Sequence, residues 1–230
     1  YFLIFTENEN FKKYYNKIIV INYYKMKNKF KLNKCFGNYS NPINLFSKWF
    51  AHAKKYEIND PNALALGTAD KKGIPNVRMV LLKDYNNKNF TFYTNLNSKK
   101  SRDLKSNPYA SMCFHWKSCL RQVRIVGKIT GVSNKEADKY FKSRAYESKI
   151  GAWASKQSNI LITREELFTS MSKFKEKYKI KKDVPRPIFW SGWKLNPIEI
   201  EFWLDGKNRI HERLKYIKRN NKWKKFLLSP

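Results

Sequence analysis

Strand-like segments joined by short turns are the feature that most restricts what this chain can fold into. Segments 63–69, 76–83, 90–94, 109–115 and 121–131 are rich in β-branched, aliphatic and aromatic residues, and Asp, Asn and Gly occupy turns between them. They do not alternate regularly with helices, which argues against a parallel, doubly wound sheet. The pattern therefore predicts an antiparallel barrel or sandwich.

A β-hairpin is predicted near the end of the chain, with arms at 198–203 and 209–214. The first arm alternates and is rich in Ile and aromatic residues, and Asp, Gly and Asn lie between the arms. Strand side chains repeat with period two, so Arg209, His211 and Arg213 would share one face of the second arm. In this register the facing pairs are Trp203–Arg209, Glu201–His211 and Glu199–Arg213.

The cationic face of this hairpin has two interpretations that the hairpin alone does not separate. One is a solvated ladder of cross-strand ion pairs, each contributing about 0.2–1 kcal/mol. The other is a rigid cationic row that holds an anionic ligand and carries one of the three histidines of the chain. The rest of the sequence has to decide between them.

Helices are predicted at four places. The first begins at Asn41-Pro42, an N-cap followed by proline at the first helical position. Ser98 would cap a short helix to about residue 104, the capping box 133–136 opens a helix to about 144, and 163–166 opens another to about 178. Apolar residues at helical spacing give the first helix a core-facing stripe: Leu45, Phe46, Trp49, Phe50 and Ala53.

Two further strands, 193–195 and 222–228, complete a chain for which we predict the α+β class and a single domain over residues 41–230. A length of 230 residues fits one domain of ordinary size. Residues 1–40 are rich in Lys, Asn and Tyr and show no sustained period, so we expect a flexible or loosely docked extension.

The formal net charge of +30 is compatible with two explanations. A basic surface attracts polyanions such as nucleic acid, whereas a general bias toward Lys and Asn spreads charge over every exposed face. The lysines are scattered through several turns, and this favours the bias. We therefore expect no nucleic acid partner, and no membrane partner either, because no apolar run approaches the roughly 18 residues of a membrane span.

The cysteines, Cys35, Cys113 and Cys119, are odd in number and form no C-x-x-C pair, which argues against a disulfide framework and a zinc site. They suit a reducing compartment, so a cytoplasmic location is expected, while a targeting role of the first 40 residues stays open. The sequence contains no glycine-rich nucleotide motif, no G-x-S-x-G elbow and no metal-ligand spacing of histidines. Any chemistry must therefore come from a bound organic cofactor, or the protein is not an enzyme.

Two pairs of cations are candidates for holding phosphate. Lys99 and Lys100 lie at the start of a predicted helix, where cations are unfavourable by about 0.3–1 kcal/mol each unless an anion binds there. Arg78 and Lys83 bracket an apolar strand, and a separation of five residues points them to opposite faces. For both to reach one ligand, the strand must twist or bulge, or the ligand must wrap its end.

Tyr140 and Arg144 are one helical turn apart, with Ser148 a further turn along if the helix continues. All three donate hydrogen bonds, and a charge-assisted contact from Arg144 to a phosphate would contribute about 1.5–3 kcal/mol. An ordinary half-exposed helix face would give the same pattern, and the polar loop with Gln157-Ser158 says little by itself.

Taken in order, these segments resemble the pyridoxamine 5′-phosphate oxidase family, the FMN enzymes that make pyridoxal 5′-phosphate. The resemblance covers about residues 41–230 and implies a split β-barrel with peripheral helices, assembled as a homodimer with FMN in the subunit interface. It rests on Arg78-Met79-Val80-Leu81-Leu82-Lys83, Phe92-Tyr93-Thr94-Asn95, Arg121-Gln122-Val123, Tyr140-Phe141-Lys142-Ser143-Arg144, Ile150-Gly151-Ala152-Trp153 with Ser155-Lys156-Gln157-Ser158, and Phe202-Trp203 through Arg209-Ile210-His211-Glu212-Arg213.

The resemblance also implies roles for individual residues. Those implied to bind FMN are Arg78, Met79, Val80, Leu81, Leu82, Lys83, Tyr93, Thr94, Lys99, Lys100, Gln122, Gln157, Ser158, Trp203 and Arg213. Those implied to hold the substrate phosphate are Lys83, Tyr140, Arg144 and Ser148, while Arg209 and His211 would lie over the substrate ring near the reacting carbon. The implied reaction oxidises pyridoxamine 5′-phosphate or pyridoxine 5′-phosphate by hydride transfer to flavin N5, with O2 reduced to H2O2.

Two positions depart from the family's pattern. Lys99 stands where the family usually has Arg, and Lys lacks the forked contact of a guanidinium, so weaker FMN binding in the same mode is expected. Segment 26–30 matches the family's substrate lid loosely and lacks its tyrosine, so it is left out of the site. The rival interpretations are another flavin or deazaflavin reductase on a split barrel, and a non-enzymatic barrel that binds nucleic acid.

Overall fold

The computed structural model describes residues 30–179 and 183–230. Within them, nine strands form one antiparallel sheet in the order β2-β1-β5-β6-β7-β4-β3, and β8 and β9 continue outward from β7. The strands are β1 Ala63–Ala69, β2 Pro75–Leu81, β3 Asp84–Tyr85, β4 Phe90–Asn95, β5 Tyr109–Trp116, β6 Arg121–Gly131, β7 Trp190–Leu204, β8 Glu212–Arg219 and β9 Lys222–Leu228.

Five α-helices surround this sheet in the described part of the chain. They are α1 Pro42–Tyr56, α2 Lys99–Ser106, α3 Asn134–Lys142, α4 Tyr146–Ala154 and α5 Arg164–Lys177. The predicted α+β class, with an antiparallel sheet and peripheral helices, is confirmed. Across the described residues, no helix is both long and apolar enough to cross a membrane.

Helix α1 forms the centre of the core, around which the inner face of the sheet packs. Asn41 caps its start by accepting a hydrogen bond from the Ile43 N–H (3.0 Å). The Phe46 ring contacts Phe90 of β4 and Phe114 of β5, with ring centroids 4.9 and 5.3 Å apart. All five residues of the predicted stripe are buried, which confirms the core-facing helix: Leu45, Phe46, Trp49, Phe50 and Ala53.

Strand β7 lets the sheet curl, because it changes neighbours halfway along. Its first part pairs with β4, its last part pairs with β8, and β6 accompanies it on the other side. The switch lies beside a β-bulge between Val126 and Gly127. Gly127 is required there, since a Cβ atom would lie 2.2 Å from the Asn196 carbonyl oxygen. Pro197 pairs at this bulge, so the separate strands predicted at 193–195 and 198–203 are one strand.

Some residues before Asn41, the predicted start of the domain, already pack against the core. Leu32 and Phe36 are already buried in the core. The Tyr216 hydroxyl donates to the Tyr39 carbonyl oxygen at 3.0 Å, which ties this segment to β8. Residues 1–29 of the predicted extension, and most of the candidate lid at 26–30, lie outside the described residues.

One helix boundary and one helix cap differ from the predictions. The helix that opens with the predicted capping box, formed by Ser133 and Glu136, ends at Lys142 rather than near 144. Ser143 ends it, because its N–H and its hydroxyl both donate to the Tyr140 carbonyl oxygen. Helix α5 lies where 163–178 predicted it, but its cap is not made, since Thr163 has no side-chain capping bond.

Candidate active site

A cavity of about 1030 Å³ opens between the edge strand β2, strand β4 and helices α2, α3 and α4. Its size suits a cofactor together with a small substrate. It brings together fourteen of the predicted site residues: Arg78, Met79, Val80, Leu81, Lys83, Tyr93, Thr94, Lys99, Lys100, Tyr140, Arg144, Ser148, Gln157 and Ser158.

Strand β2 explains how Arg78 and Lys83 reach one cavity from opposite faces. β2 is an edge strand, so the cavity extends around it and is lined by Arg78 from one face and by Met79 and Leu81 from the other. The strand ends at Leu81, and the Lys83 N–H then pairs with the Thr91 carbonyl oxygen of β4 at 2.9 Å. The chain therefore bends away from β1 before Lys83.

Leu82 lies in the core rather than at the cavity. Its side chain is buried, and its N–H donates to the Asn62 carbonyl oxygen at 2.8 Å. The implied FMN-binding strand thus lines the cavity with five of its six residues, and the sixth anchors the strand.

Cations converge where β2 meets the start of α2. The Arg78 guanidinium donates from Nη1 to the Leu66 carbonyl oxygen (3.1 Å) and to Thr68 Oγ1 (2.7 Å). Lys99 Nζ lies 2.6 Å from Asp103 Oδ1, one helical turn along α2. Ser98 does not cap the helix as predicted, because its hydroxyl donates to the Asn95 carbonyl oxygen instead.

Lys100 is the most unusual of these cations, because its side chain is buried and only 7% of the residue is exposed. Its ammonium donates to Thr94 Oγ1 (3.2 Å) and Ser98 Oγ (3.3 Å) and forms no ion pair with the described residues. Burial, with a smaller contribution from the Arg78 charge, lowers the pKa of Lys100 to about 8. An anion beside it would restore the charged form.

The opposite wall of the cavity is a stack of aromatic rings that supports Arg144. The rings of Tyr93, Tyr140 and Trp190 lie together with nearly parallel planes. The centroid of Tyr93 is 4.1 Å from that of Tyr140 and 5.5 Å from that of Trp190, and the Tyr140 and Trp190 centroids are 6.1 Å apart. The Arg144 guanidinium lies 4.7 Å from the Trp190 ring centroid. Burial lowers the pKa of Arg144, and its buried Nη1 has no hydrogen-bond partner.

The predicted spacing of Tyr140, Arg144 and Ser148 along one helix is wrong, but their convergence is correct. Tyr140 lies in α3, Arg144 in the break after Lys142, and Ser148 in α4. Because both helices border the cavity, the break still leaves all three residues on its lining.

Residues 155–158 close the cavity after α4. The Thr94 hydroxyl lies 3.3 Å from Gln157 Oε1, and the Asn95 amide donates to the Ser155 carbonyl oxygen at 3.4 Å. Ser158 adopts the left-handed backbone region, with φ of 69°. This loop is therefore held against β4, beside the cations.

The remaining predicted site residues form a second cluster, which we call the hairpin cluster: Gln122, Trp203, Arg209, His211 and Arg213. None of them lines the cavity of the same chain. Gln122 pairs with Trp203, and Trp203 pairs with Arg213, in one row across β6, β7 and β8. The His211 and Trp203 rings lie 4.6 Å apart.

The predicted register of this hairpin is wrong by four residues. Trp203 faces Arg213 rather than Arg209, Glu201 faces Lys215 and Glu199 faces Ile217. The loop is longer than predicted, because a 3-10 turn at Lys207–Arg209 delays the second strand until Glu212. Arg209, His211 and Arg213 therefore do not share one strand face.

The carboxylates of the hairpin are paired differently as a consequence. Glu201 accepts from Arg213 at 2.8 Å, and Glu199 pairs with Lys215 at 2.7 Å. His211 Nδ1 lies 3.0 Å from Asp205 Oδ1. Arg209 is exposed and has φ of 63°, and its side chain makes no hydrogen bond or ion pair with residues 30–179 and 183–230.

Three residues that shape the cavity were missed by the sequence reasoning. The Trp190 ring packs against Arg144, and Thr68 accepts a hydrogen bond from Arg78. The buried carboxylate of Asp103 pairs with Arg78 and Lys99. The spacing of Lys99 and Asp103, four residues apart in a short helix, was the available signal. Trp190 and Thr68 carried no comparable signal, because their partners are distant in sequence.

The curled antiparallel sheet with its peripheral helices defines the chain as a split-barrel protein. PhzG from Burkholderia lata 383, in complex with tetrahydrophenazine-1-carboxylic acid, superposes with a TM-score of 0.81 at 29% identity, covering 89% of this chain and all of that one. A pyridoxamine 5′-phosphate oxidase-related, FMN-binding protein from Nostoc punctiforme shares the fold, with a TM-score of 0.64 at 15% identity over 79% of this chain and 96% of its own.

Family comparisons narrow the class. Residues 50–186 match the model of pyridoxamine 5′-phosphate oxidase, and residues 190–230 match the C-terminal dimerisation region of pyridoxine 5′-phosphate oxidase. The pyridoxine/pyridoxamine 5′-phosphate oxidase of Pelagibacter ubique is 62% identical over 89% of this chain and 99% of its own length. The pyridoxine/pyridoxamine 5′-phosphate oxidase of Allorhizobium ampelinum is 46% identical over 85% of this chain and 95% of its own length.

The chain therefore belongs to the pyridoxamine 5′-phosphate oxidase family, as its sequence motifs predicted. It is an oxidoreductase with FMN as its cofactor, and its dimerisation region indicates a homodimer. The donors in the cavity fit this cofactor, because the buried Lys100 ammonium has no anionic partner among the described residues.

Proposed function

We propose that this chain oxidises pyridoxamine 5′-phosphate and pyridoxine 5′-phosphate to pyridoxal 5′-phosphate. When bound, FMN would supply the redox chemistry by taking a hydride from the C4′ carbon of the substrate, while the hydroxyl or amine loses a proton and O2 takes up both electrons and both protons as H2O2. With the amine substrate, the resulting imine would take up water and release ammonia to give the aldehyde. The residues of the chain bind and orient the two reactants. The unpaired state of Cys35, Cys113 and Cys119 supports a cytoplasmic location.

One observation carries this proposal: two separate cations of the cavity, Lys100 and Arg144, have no anionic partner among the described residues. Lys100 lies at the start of α2, and Arg144 lies in the break between α3 and α4. FMN and the proposed substrates each carry one phosphate group. Two phosphates would compensate the charges of both Lys100 and Arg144, whereas a cofactor alone would leave one of these two cations without an anion.

We assign the cofactor phosphate to the corner formed by Arg78, Lys99 and Lys100. The free N–H groups at the start of α2 add to the positive potential of these side chains. Tyr93, Thr94, Gln157 and Ser158 and the strand 79–83 would then hold the rest of the flavin, as the family resemblance implies.

We assign the substrate phosphate to Arg144, with Tyr140, Ser148 and Lys83 as further donors. The Trp190 ring packs against one side of the Arg144 guanidinium. Arg144 Nη1 has no hydrogen-bond partner in the described residues and would donate to the ligand. A bound phosphate would accept charge-assisted hydrogen bonds, which are about twice as strong as neutral ones.

We further propose that the hairpin cluster of a second copy completes the site. Met79 and Leu81 line the cavity and also lie on the outer face of β2, so the cavity opens toward that face. Val77 and Met79 are 68% and 65% exposed there, an apolar surface suited to a partner subunit. Residues 190–230 match a dimerisation region and include most of the hairpin cluster.

In this arrangement Gln122, Trp203 and Arg213 would contact FMN, and Arg209 and His211 would lie over the substrate ring. Arg209 is suited to this role because its side chain has no partner within the described part of its own chain. Its left-handed backbone costs about 1–3 kcal/mol, a strain that is typical of functional sites.

The rival function is another reaction on a flavin-binding split barrel. PhzG, with a TM-score of 0.81, holds tetrahydrophenazine-1-carboxylic acid rather than a phosphate ester in its crystal structure. The cations around Arg144 favour a substrate that carries phosphate. Nucleic acid binding, suggested by the net charge of +30, is a weaker rival, because a cavity with buried cations is not needed for it.

Purified protein should be yellow and should keep a flavin spectrum after desalting. It should convert pyridoxamine 5′-phosphate to the aldehyde with release of H2O2, while pyridoxamine without phosphate reacts poorly. A flavin-loaded protein that oxidises neither phosphorylated substrate would contradict the proposed reaction but not the family. Colourless protein that retains nucleic acid instead would contradict both the cofactor assignment and the reaction.

A further inference from the structure

Asp103 is a buried carboxylate at the cation corner of the cavity, and none of the roles assigned above uses it. It lies in α2 and is 2% exposed. Its Oδ1 accepts from Lys99 Nζ at 2.6 Å, and its Oδ2 accepts from the Thr68 hydroxyl at 2.8 Å. Its Oδ2 is also 3.7 Å from Arg78 Nη2. It does not line the cavity itself.

Thr68 connects Asp103 to Arg78 in a way that fixes the direction of each hydrogen bond. A hydroxyl has one proton and accepts through its lone pairs. The Thr68 proton goes to Asp103, so Oγ1 is free to accept from Arg78 Nη1 at 2.7 Å. The Leu66 carbonyl oxygen is a second acceptor, and Asp103 Oδ2 adds an ion pair at 3.7 Å, so three groups hold the guanidinium.

Lys99 depends on the same carboxylate. A cation in the first turn of a helix is opposed by the helix dipole, and a long ammonium side chain has many rotamers. The pair with Asp103 compensates the charge and selects one of those rotamers. Burial pushes the pKa of Asp103 upward, but the hydrogen bonds and charges of Lys99, Thr68 and Arg78 outweigh it and leave the pKa lowered.

We propose that Asp103 is a positioning residue that holds Lys99 and Arg78 in place for the cofactor phosphate. The proposal rests on the assignment of that phosphate to this corner of the cavity. A forked guanidinium at position 99 would bring its own preorganised geometry, whereas a lysine gains it from Asp103.

The sign of one measurement separates positioning from simple electrostatics. If Asp103 acted only through its charge, removing it would make the corner more positive and would strengthen phosphate binding. If it positions the two cations, removing the charge while keeping the shape weakens phosphate binding despite the more positive corner. A purely structural role lowers stability and leaves the preference for phosphate unchanged.

The test is Asp103→Asn in the full-length chain, with dissociation constants for FMN and for riboflavin, which lacks the phosphate. We expect FMN binding to weaken about tenfold, and riboflavin binding to stay within about twofold because it does not use these cations. Glu199→Gln is the matched control, since it removes a carboxylate that is ion-paired with Lys215 away from the cavity. It should change neither constant.

Thr68→Val provides a second variant of nearly the same shape if Asp103→Asn does not fold. It breaks the link to Arg78 and retains the pair with Lys99, so a smaller loss of about threefold, again specific to FMN, is expected. Unchanged or tighter FMN binding in these variants, or equal losses for FMN and riboflavin, would overturn the role of Asp103. If the unaltered protein itself did not prefer FMN to riboflavin, the phosphate assignment would fall, and the proposal with it.

Discussion

The cavity and the hairpin cluster contain the two parts of the predicted site, and they differ in how far a single chain completes them. In the cavity, Arg78 and Lys99 are fixed by the hydrogen bonds that they donate to Thr68 and Asp103 of their own chain. In the hairpin cluster, Arg209 is exposed in a left-handed loop. The first region is organised before any partner arrives, whereas the second presents its key cation outward. We infer from this difference that recognition of phosphate belongs to one chain and that the reacting carbon is reached by another.

Replacing Arg209 is expected to have the largest effect. In Arg209→Leu, turnover should fall about a hundredfold or more, because a charge placed over the reacting centre stabilises the transition state more than it stabilises bound cofactor. FMN affinity should change little. The measurement is kcat with saturating substrate, together with FMN titration of the same variant. Turnover equal to that of the unaltered enzyme would remove Arg209 from the catalytic group.

Replacing Arg144 should act on substrate binding instead of turnover. Loss of a charge-assisted contact of about 1.5–3 kcal/mol raises KM for pyridoxamine 5′-phosphate roughly 10- to 100-fold in Arg144→Leu. The slow reaction with unphosphorylated pyridoxamine serves as the internal control, since it has no phosphate to lose. If KM for both substrates rose together, Arg144 would shape the cavity without binding phosphate.

Subunit mixing tests the division between the two regions directly. Arg144→Leu and Arg209→Leu chains, each nearly inactive alone at low substrate, are refolded or co-expressed together. If each site draws on both chains, a mixed dimer contains one site with both changes and one with neither, so random pairing restores about a quarter of normal activity. If each site lies within one chain, every site carries one change and activity is not restored.

The cavity could be predicted from the sequence more accurately than the hairpin cluster. Fourteen predicted residues meet at the cavity, because motifs anchored in regular strands and helices keep their positions even when a boundary is off, as at Arg144. The hairpin register failed, because the 3-10 turn at Lys207–Arg209 and the left-handed Asn208 have no clear signature. Gly206 is the one residue of this loop whose type reflects the longer turn. A Cβ atom there would lie 1.9 Å from the Ile210 carbonyl oxygen, so the close approach of the two loop segments requires glycine.

Contacts between distant segments were beyond the sequence for a different reason. Trp190 reaches Arg144, and Thr68 reaches Asp103 and Arg78, only because the curled sheet brings their strands together. Sequence periodicity indicates which residues are neighbours within one helix or strand, but not which residues of different elements are in contact. It detected the cations that we propose to bind phosphate and missed the residues that hold those cations.

FMN binding should also depend on pH, and this dependence should belong to the cavity alone. Burial lowers the pKa of Lys100 to about 8 in the free protein, so the ammonium is charged below that pH and neutral above it. Phosphate binding favours the charged form, and FMN affinity should therefore be level from about pH 7 to 8 and fall by up to about tenfold per unit above it. FMN titration at several pH values measures this directly.

Two variants test whether Lys100 is the titrating group. Lys100→Met should bind FMN more weakly at pH 7 and should lose the fall in affinity above pH 8. Arg213→Gln should keep that fall, because Arg213 lies in the hairpin cluster and does not line the cavity. An identical decline in Lys100→Met would assign the titration to another group.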